Sequence, residues 1–477
     1  MKAPYSKYLK SIESGLKELT GILMKDFDYV SILSTDSKGL QVRISQHSKS
    51  VSNKTMTSER GTVVRVYRNG LYSEYAMDRF DPDNADLAAE EIISTLEKQF
   101  DILDRTGTKP FVTGMLADEP LDLFVEKETE QLPENADIKE LVNKLISISD
   151  RGMAMSDNML DCIAVAQSTH ISKLFISQNR CLRQSYVYSE GHVAALVARD
   201  GENRFSYEAV SGLCGPELFD TLESKLEKCI DFANTLLDAD RIVPGEYDVI
   251  TSPDVSGLLA HEAFGHGVEM DMFVKDRALG KYYIGKKVGS DLVTMHEGAL
   301  CANEVASYAF DDEGTLAGDV TEIDHGFLKA GICDALSALR LGTVATGNGK
   351  RENFEHKVYT RMTNTVFDSG RDSLEDMISS IKHGYLLEGM ESGMEDPKHW
   401  GIQCIVSCGR EILDGKLTGK VVAPVIMTGY VPDLLSNVTM ASVDRLIFGS
   451  GGCGKGYKEF VKVSQGGPYL KTRAILG

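Results

Sequence analysis

Apolar residues in the first half of the chain recur at spacings that predict helices alternating with strands. From Leu9 to Ile22 they are three or four residues apart, which predicts an amphipathic helix over about 7–23. The same spacing predicts further helices over 83–103, 137–148 and about 216–237. Runs of alternating apolar and polar residues lie between these helices and are typical of half-buried strands.

Two of these strand pairs flank a turn dipeptide that favours a β-hairpin. Asn69-Gly70 joins two such runs in the first hundred residues, and Asp200-Gly201 joins two others further along the chain. The two glycines are 131 residues apart. Adding 131 to the positions of the two predicted helices that flank the first hairpin places them on the two predicted helices that flank the second hairpin. We therefore predict a duplicated α–β–β–α unit, with two unrelated α+β units as the alternative.

After Pro244 the pattern changes to short apolar runs separated by glycine-rich turns, which predicts a mainly β domain. One apolar helix, predicted over Pro253–Met270, interrupts this domain near its start. The predicted fold class is α+β, with duplicated units followed by a larger, mainly β domain that carries one metal-binding helix. The predicted domains are an N-terminal α+β unit at 1–104, a connector at 105–136, a second α+β unit at 137–240 and a β-rich catalytic domain at 241–477.

The charge balance narrows the classes of partner. The chain has 51 Lys and Arg against 71 Asp and Glu, a net charge of −20. This excess argues against direct nucleic-acid binding and against docking on anionic lipid, because both depend on basic residues. The charged N-terminus does not resemble a secretory signal, and nine scattered cysteines suggest reduced thiols. We therefore predict a cytoplasmic protein with no membrane partner.

The segment with the clearest candidate chemistry is His261-Glu262-Ala263-Phe264-Gly265-His266, an HExxxH pattern in an apolar stretch. On a regular α-helix, residues five apart point about 140° away from each other, so the two imidazoles could not share a metal. A π-type turn, or a helix that ends at His266, would bring them together. The alternative is two unrelated histidines with a solvated Glu262.

A metal site needs a third ligand, and the sequence leaves four candidates open: Glu269, Asp271, His296 and Cys453. Cys453 stands in the glycine-rich turn FGSGGCGKG, which allows close backbone approach and exposes the thiol. Two imidazoles and one thiolate form a credible zinc shell with a fourth position for water. Glu262 would then be the general base on that water.

Other interpretations of these motifs are weaker. Gly449, Gly451 and Gly454 match G-x-G-x-x-G, but no predicted helix follows them, which argues against a dinucleotide site. Gly456 occupies the position at which a P-loop needs Ser or Thr. The pair Cys404 and Cys408 lacks the further ligands of a structural zinc site.

Several long blocks of the second half resemble the TldD/PmbA family of zinc metallopeptidases. They are GLLAHEAFGHGVEMD, SYAFDDEG, TGNGKRENFEHKVYTRMTNT and GSGGCGKG. The resemblance implies zinc bound by His261, His266 and Cys453, with Glu262 as the catalyst. Retention of all four residues resembles the catalytic, TldD-type branch and not the branch that lacks the motif.

The resemblance also implies a substrate and an assembly. It implies that unfolded peptides enter in extended form between two subunits, in a homodimer or in a heterodimer with a non-catalytic paralogue. Residues 388–410 depart from the family pattern, which leaves substrate preference open. We predict a zinc-dependent peptidase, with a non-catalytic peptide-binding scaffold or regulatory partner subunit as the alternative. A hydrolase acting on a non-peptide bond is a third interpretation.

Overall fold

The structure is a computed structural model that describes residues 1–105, 112–455 and 460–477. Part of the predicted connector, 106–111, and Gly456 of the glycine-rich turn lie outside the described residues. The described chain is a mixed α+β protein, as predicted, with one large sheet in each half. None of its described helices has the length and apolar character needed to cross a membrane.

Eight strands form the first sheet in the order β4-β3-β1-β6-β7-β5, with β2 beside β1 and β8 beside β7. Their bounds are β1 Tyr29–Ile44, β2 Lys49–Ser52, β3 Arg60–Arg68, β4 Leu71–Met77, β5 Leu121–Glu126, β6 Met159–Ser177, β7 Arg180–Arg199 and β8 Glu202–Gly212. The α-helices of this half are α1 Lys7–Leu23, α2 Ala85–Arg105, α3 Ile138–Met153 and α4 Leu226–Leu237. The first part of the helix predicted over about 216–237 is instead a 3₁₀ helix, Pro216–Lys225. The antiparallel pair of β1 and β6 joins the two predicted units into one sheet.

Both predicted hairpins are confirmed, since β3 pairs with β4 and β7 pairs with β8 around the expected turns. Asn69 and Gly70 have φ of 53° and 85°, and Asp200 and Gly201 have φ of 54° and 87°. Positive φ at both central residues defines the type I′ turn that suits the strand twist. The two turns therefore have matching geometry, while the duplication and the domain boundaries stay predictions.

Eleven strands form the second sheet, and part of it closes on itself. Its strands are β9 Gly245–Thr251, β10 Met295–Glu297, β11 Val320–Asp324, β12 Phe327–Leu328, β15 Asn364–Phe367, β16 His383–Asp396, β17 Gly401–Leu413, β18 Lys416–Val422, β19 Val425–Tyr430, β20 Met440–Phe448 and β23 Ser464–Leu476. Two short ribbons are formed by β13 Gly349–Lys350 with β14 Tyr359–Thr360, and by β21 Gly452–Gly454 with β22 Phe460–Lys462. Because β9 pairs with both β16 and β23, the strands β23-β19-β17-β16-β9 form a closed ring.

The predicted helix over Pro253–Met270 is interrupted in the structure. The α-helical part, α5, ends at Ala260, and a π-helical turn over His261–Gly265 and a 3₁₀ turn over His266–Val268 follow it. The remaining helices are short: α6 Asp271–Val274, α7 Ala335–Leu341, α8 Leu374–Ser379 and α9 Val431–Ser436. Gly342 ends α7 with a left-handed φ of 66°, and the short strand β13 begins at Gly349.

Buried ion pairs connect the two halves. Arg65 on β3 lies against Glu313, and its neighbour Glu74 on β4 binds Arg351 Nη2 at 2.6 Å. Lys173 on β6 pairs with Asp312. Removing one partner from a buried ion pair leaves an uncompensated charge, so these contacts fix the first sheet against the site-bearing half.

Candidate metal centre

The two histidines of the HExxxH segment converge because the helix widens at that point. α5 is almost entirely buried and packs against β23 and β16. In the turn after it, the backbone N–H of His266 donates to the carbonyl of His261, which is the i→i+5 pairing of a π-turn. The two imidazole centroids are consequently 5.1 Å apart, with the rings nearly perpendicular. A π-turn, one of the two conformations considered from sequence, is therefore present.

Cys453 meets the two histidines from the other side of the site. It lies on β21, inside the glycine-rich turn, and its Sγ is 3.3 Å from His266 Nε2. One ligand atom from each of His261, His266 and Cys453 lies within 4.8 Å of the other two. When a nitrogen and a sulfur bind one zinc ion at ordinary bond lengths and a tetrahedral angle, the nitrogen and the sulfur are about 3.6 Å apart. The three side chains are therefore compatible with zinc in both donor type and spacing.

Two further observations support a metal between these side chains. His261 Nδ1 is buried and has no hydrogen-bond partner in the described part of the chain. Burial alone would raise the pKa of Cys453, but His266 and His261 lower it well below the ordinary value. A buried imidazole nitrogen without a partner and a stabilised thiolate are what a metal ion would satisfy.

Glu269 orients His266 instead of joining the cluster. Its Oε2 is 3.1 Å from His266 Nδ1, which leaves Nε2 facing Cys453. Burial opposes the charge of Glu269, but Lys455 at 3.1 Å, together with His266 and Arg361, lowers its pKa to about 2. A carboxylate on the second nitrogen of a ligating histidine fixes the tautomer and the ring orientation.

Arg361 has no counterpart among the residues singled out from sequence. It is fully buried, and its Nη2 donates to the carbonyl of Cys453 at 2.7 Å and lies 3.1 Å from the thiol sulfur. Its Nε is also 3.7 Å from Glu269 Oε1. One guanidinium thus contacts a candidate ligand and the partner of another. The block containing it, TRMTNT, carried the family resemblance but pointed to no particular residue.

Two other candidate ligands are engaged elsewhere. Asp271 pairs with Lys455 at 2.7 Å and with Lys275 at 3.1 Å. His296, on β10, lies between Asp319 at 2.8 Å and Asp368 at 3.5 Å. Neither belongs to the three-residue cluster found among the described residues.

The cluster opens into a cavity of about 720 Å³. Glu262 lines this cavity, together with residues of β16 and of the glycine-rich turn. A Cβ added at Gly393 of β16 would be 2.9 Å from Glu262 Oε1, so the glycine permits this close approach. Tyr207 of β8 also reaches the cavity, which means that the first sheet contributes to its wall.

The same wall carries a second carboxyl that sequence reasoning did not single out. Glu395 lines the cavity, and both of its carboxylate oxygens are buried without a hydrogen-bond partner in the described regions. Burial raises the pKa of Glu395, His266 lowers it, and Glu262 and Glu269 raise it, with the net result that the pKa is about 9. Glu395 belongs to the segment 388–410, whose departure from the family pattern was the only sequence signal.

Comparison with known proteins places these residues in a family context. The family described as the PmbA/TldA metallopeptidase C-terminal domain matches residues 244–474. A metalloprotease of Synechocystis is 27% identical over 473 residues, covering 98% of both chains. A zinc metalloprotease TldD homolog of Saccharolobus solfataricus is 29% identical over 236 residues, covering 48% of this chain and 51% of its own.

Solved structures share the fold across nearly the whole chain. TldE from Thermococcus kodakarensis superposes with a TM-score of 0.76 at 17% identity, covering 97% of this chain and 99% of its own. A putative modulator of a DNA gyrase from Thermotoga maritima has a TM-score of 0.77 at 16% identity, covering 98% and 100%. At these identities the likeness concerns the fold alone.

Proposed function

We propose that this chain is a zinc-dependent peptidase, and the premise is that it belongs to the TldD/PmbA family. The observation that carries the proposal is the convergence of His261, His266 and Cys453 beside Glu262 in one cavity. The three donors suit zinc in type and spacing, and an intact cluster of this kind favours the catalytic branch of the family. A non-catalytic scaffold would not need the cluster.

Each residue of the cluster has a separate part in peptide hydrolysis. His261, His266 and Cys453 would hold the zinc, with Glu269 keeping His266 oriented. When bound, zinc supplies Lewis acidity that polarises a scissile carbonyl and makes water a better nucleophile. Glu262 takes a proton from the attacking water while the oxygen of that water bonds to the carbonyl carbon. It then gives that proton to the amine nitrogen as the C–N bond breaks.

An extended, unfolded peptide is the substrate that the cavity wall favours. β16 pairs with β9 only through Gly384–Leu387, while its later residues pair with β17 on one side and line the cavity. No strand pairs with the other backbone edge of this stretch among the described residues, so we propose that this edge pairs with an extended peptide. Pairing of this kind recognises the main chain with little dependence on sequence.

We also propose that the chain acts with a second subunit, either a copy of itself or a non-catalytic paralogue. β20 exposes Val443 and Leu446, at 60% and 56%, which supports a covered surface there. Sedimentation equilibrium of the chain alone and with a candidate paralogue tests this proposal. A chain that stays monomeric in both would contradict it.

The cytoplasm is the compartment we propose for the enzyme. All nine cysteines are unpaired in the structure, and six of them besides Cys453 are buried. Free thiols persist in a reducing environment.

The Glu262→Gln variant tests the catalytic proposal. We expect it to keep the zinc content of the wild type and to lose peptide hydrolysis, because the amide cannot accept the proton of water. Glu375→Gln, on the exposed surface of α8 and outside the cavity lining, is the control and should remain active. Hydrolysis by zinc-replete Glu262→Gln at the wild-type rate would refute the assigned role, and a zinc-replete wild type that cleaves no unfolded protein would refute the peptidase function.

A further inference from the structure

The sulfur of Cys453 has a charged hydrogen-bond donor of its own, the guanidinium of Arg361. Nη2 of Arg361 lies 3.1 Å from Cys453 Sγ and donates to the carbonyl of the same residue at 2.7 Å. One nitrogen therefore contacts both the side chain and the backbone of a candidate ligand. The peptidase mechanism proposed above does not use this contact.

Arg361 is held in this position from more than one direction. Its side chain is 1% exposed, and its Nε lies 3.7 Å from Glu269 Oε1. Its backbone N–H donates to the carbonyl of Asn348 at 2.9 Å, and its own carbonyl accepts from Asn348 Nδ2 at 3.1 Å. Water does not reach the guanidinium, so its positive charge acts on the Cys453 sulfur with little screening.

The other close polar neighbours of the sulfur cannot donate to it once a metal is bound. Among the described residues they are the two imidazoles of the cluster, with His266 Nε2 at 3.3 Å, and the carbonyl oxygen of Gly454 at 3.6 Å. A ligating imidazole directs the lone pair of its nitrogen at the ion, and a carbonyl oxygen has no proton to give. Within the described chain, Arg361 is then the hydrogen-bond donor that stays on the metal-bound sulfur.

We propose that Arg361 is a positioning residue that holds the Cys453 sulfur towards the zinc and limits how much electron density this sulfur gives to the ion. The inference rests on the zinc site of the proposed function and adds a residue to it. Hydrogen bonds to a metal-bound sulfur are one of the means by which proteins tune a metal. A positive charge on the sulfur leaves the ion more electron-poor, which strengthens its Lewis acidity.

Cobalt(II) in place of zinc reports on this contact without any turnover. A sulfur bound to cobalt absorbs near-ultraviolet light by transferring an electron to the metal, and this band is recorded for the wild type, Arg361→Met and Arg361→Gln. Methionine removes the donor and the charge, whereas glutamine keeps a donor without the charge. Lys350→Met is the matched control, because Lys350 is a basic residue near Arg361 whose Nζ binds the carbonyls of Met362 and Lys462 instead of the sulfur.

We expect the charge-transfer band of Arg361→Met to move to longer wavelength, because a sulfur without the neighbouring positive charge releases its electron more easily. Arg361→Gln should show a smaller shift in the same direction, and Lys350→Met should match the wild type, all at equal cobalt content. With zinc loaded, Arg361→Met should also lose about tenfold or more in kcat with KM near the wild-type value. The loss falls on kcat because Arg361 acts on the ion and not on the peptide.

Three results would overturn the inference. They are a wild-type band in the Arg361 variants, an equal shift of the band in Lys350→Met, and a wild-type kcat in zinc-loaded Arg361→Met. The first would mean that the guanidinium supports only the backbone of Cys453. If Arg361→Met does not fold, the band of Arg361→Gln decides. A wild type that binds cobalt but cleaves no peptide refutes the peptidase function, whereas an active wild type with an unshifted band in the variants refutes only this inference.

Discussion

Replacing Glu269 with glutamine should weaken zinc binding without removing a zinc ligand. Glu269 is 1% exposed, and its Oε2 lies 3.1 Å from His266 Nδ1. The amide of glutamine has nearly the same shape but no charge. The amide oxygen can still accept a hydrogen bond from His266 Nδ1, but this hydrogen bond is no longer strengthened by a negative charge. The change therefore isolates the effect of the carboxylate on the orientation and basicity of His266.

The size of the effect follows from this single contact. A hydrogen bond to a charged group contributes about 1.5–3 kcal/mol, and about 1.4 kcal/mol is a factor of ten in a binding constant. We therefore expect zinc affinity to fall roughly 10- to 100-fold, which matches the usual effect of removing such a partner. Lys455 keeps its contact with Asp271 at 2.7 Å, so its charge stays paired.

Competition against a chromophoric chelator of known affinity measures this change directly. Glu322→Gln is the matched control, because Glu322 is fully buried but neither oxygen has a hydrogen-bond partner in the described chain. We expect the control to bind zinc as the wild type does. Equal zinc affinity of Glu269→Gln and the wild type would show that Glu269 does not support His266, and an equal loss in both variants would indicate a general effect of replacing a buried carboxyl group.

Three other changes probe the site and the fold. Cys453→Ala should lower zinc content, measured by mass spectrometry, and unchanged stoichiometry would remove the thiol from the shell. Gly393→Ala should reduce turnover at least about tenfold with zinc retained, because the new Cβ would be 2.4 Å from Glu262 Cγ and the flexible side chain must move; unaltered kcat would refute this. Burial would raise the pKa of Glu74, but Arg65 and Arg351 lower it to about 2. Its stabilisation is complete above about pH 4.5 and is lost as the pH falls towards 2, so Glu74→Gln should cost about 3 kcal/mol near neutrality and almost nothing near pH 2 in urea unfolding. A pH-independent difference would contradict this reasoning.

The parts of the fold that are determined by residues close together in the sequence were predictable from the sequence. α1 matches its predicted range of 7–23, and both hairpins turn at the predicted glycines, because periodicity and positive-φ turn residues are local signals. The closure of the second sheet was not predictable. It depends on β9 pairing with β23, for example Thr251 with Leu470, and no local pattern specifies partners so far apart in the chain.

The candidate site divides in the same way. His261, Glu262 and His266 form a recognisable motif, and Cys453 stands out in its glycine-rich turn. Arg361 and Glu395 do not, since a charged residue in sequence is usually solvated. Only the folded chain shows that both are buried beside the cluster, and burial is what gives a charged side chain a strong influence on its neighbours.

The π-turn explains why a five-residue spacing can form this site and why the surrounding fold must support it. A regular helix would turn His266 about 140° away from His261, whereas the wider turn brings the rings to a centroid distance of 5.1 Å. The turn also needs space, because a Cβ at Gly265 would lie 2.2 Å from the sulfur of the buried Met362. π-turns are rare and less favourable than regular helix, so the packing of α5 against β23 and β16 has to stabilise the conformation. The closed ring that holds α5 therefore contributes to the chemistry by keeping the two imidazoles on one face.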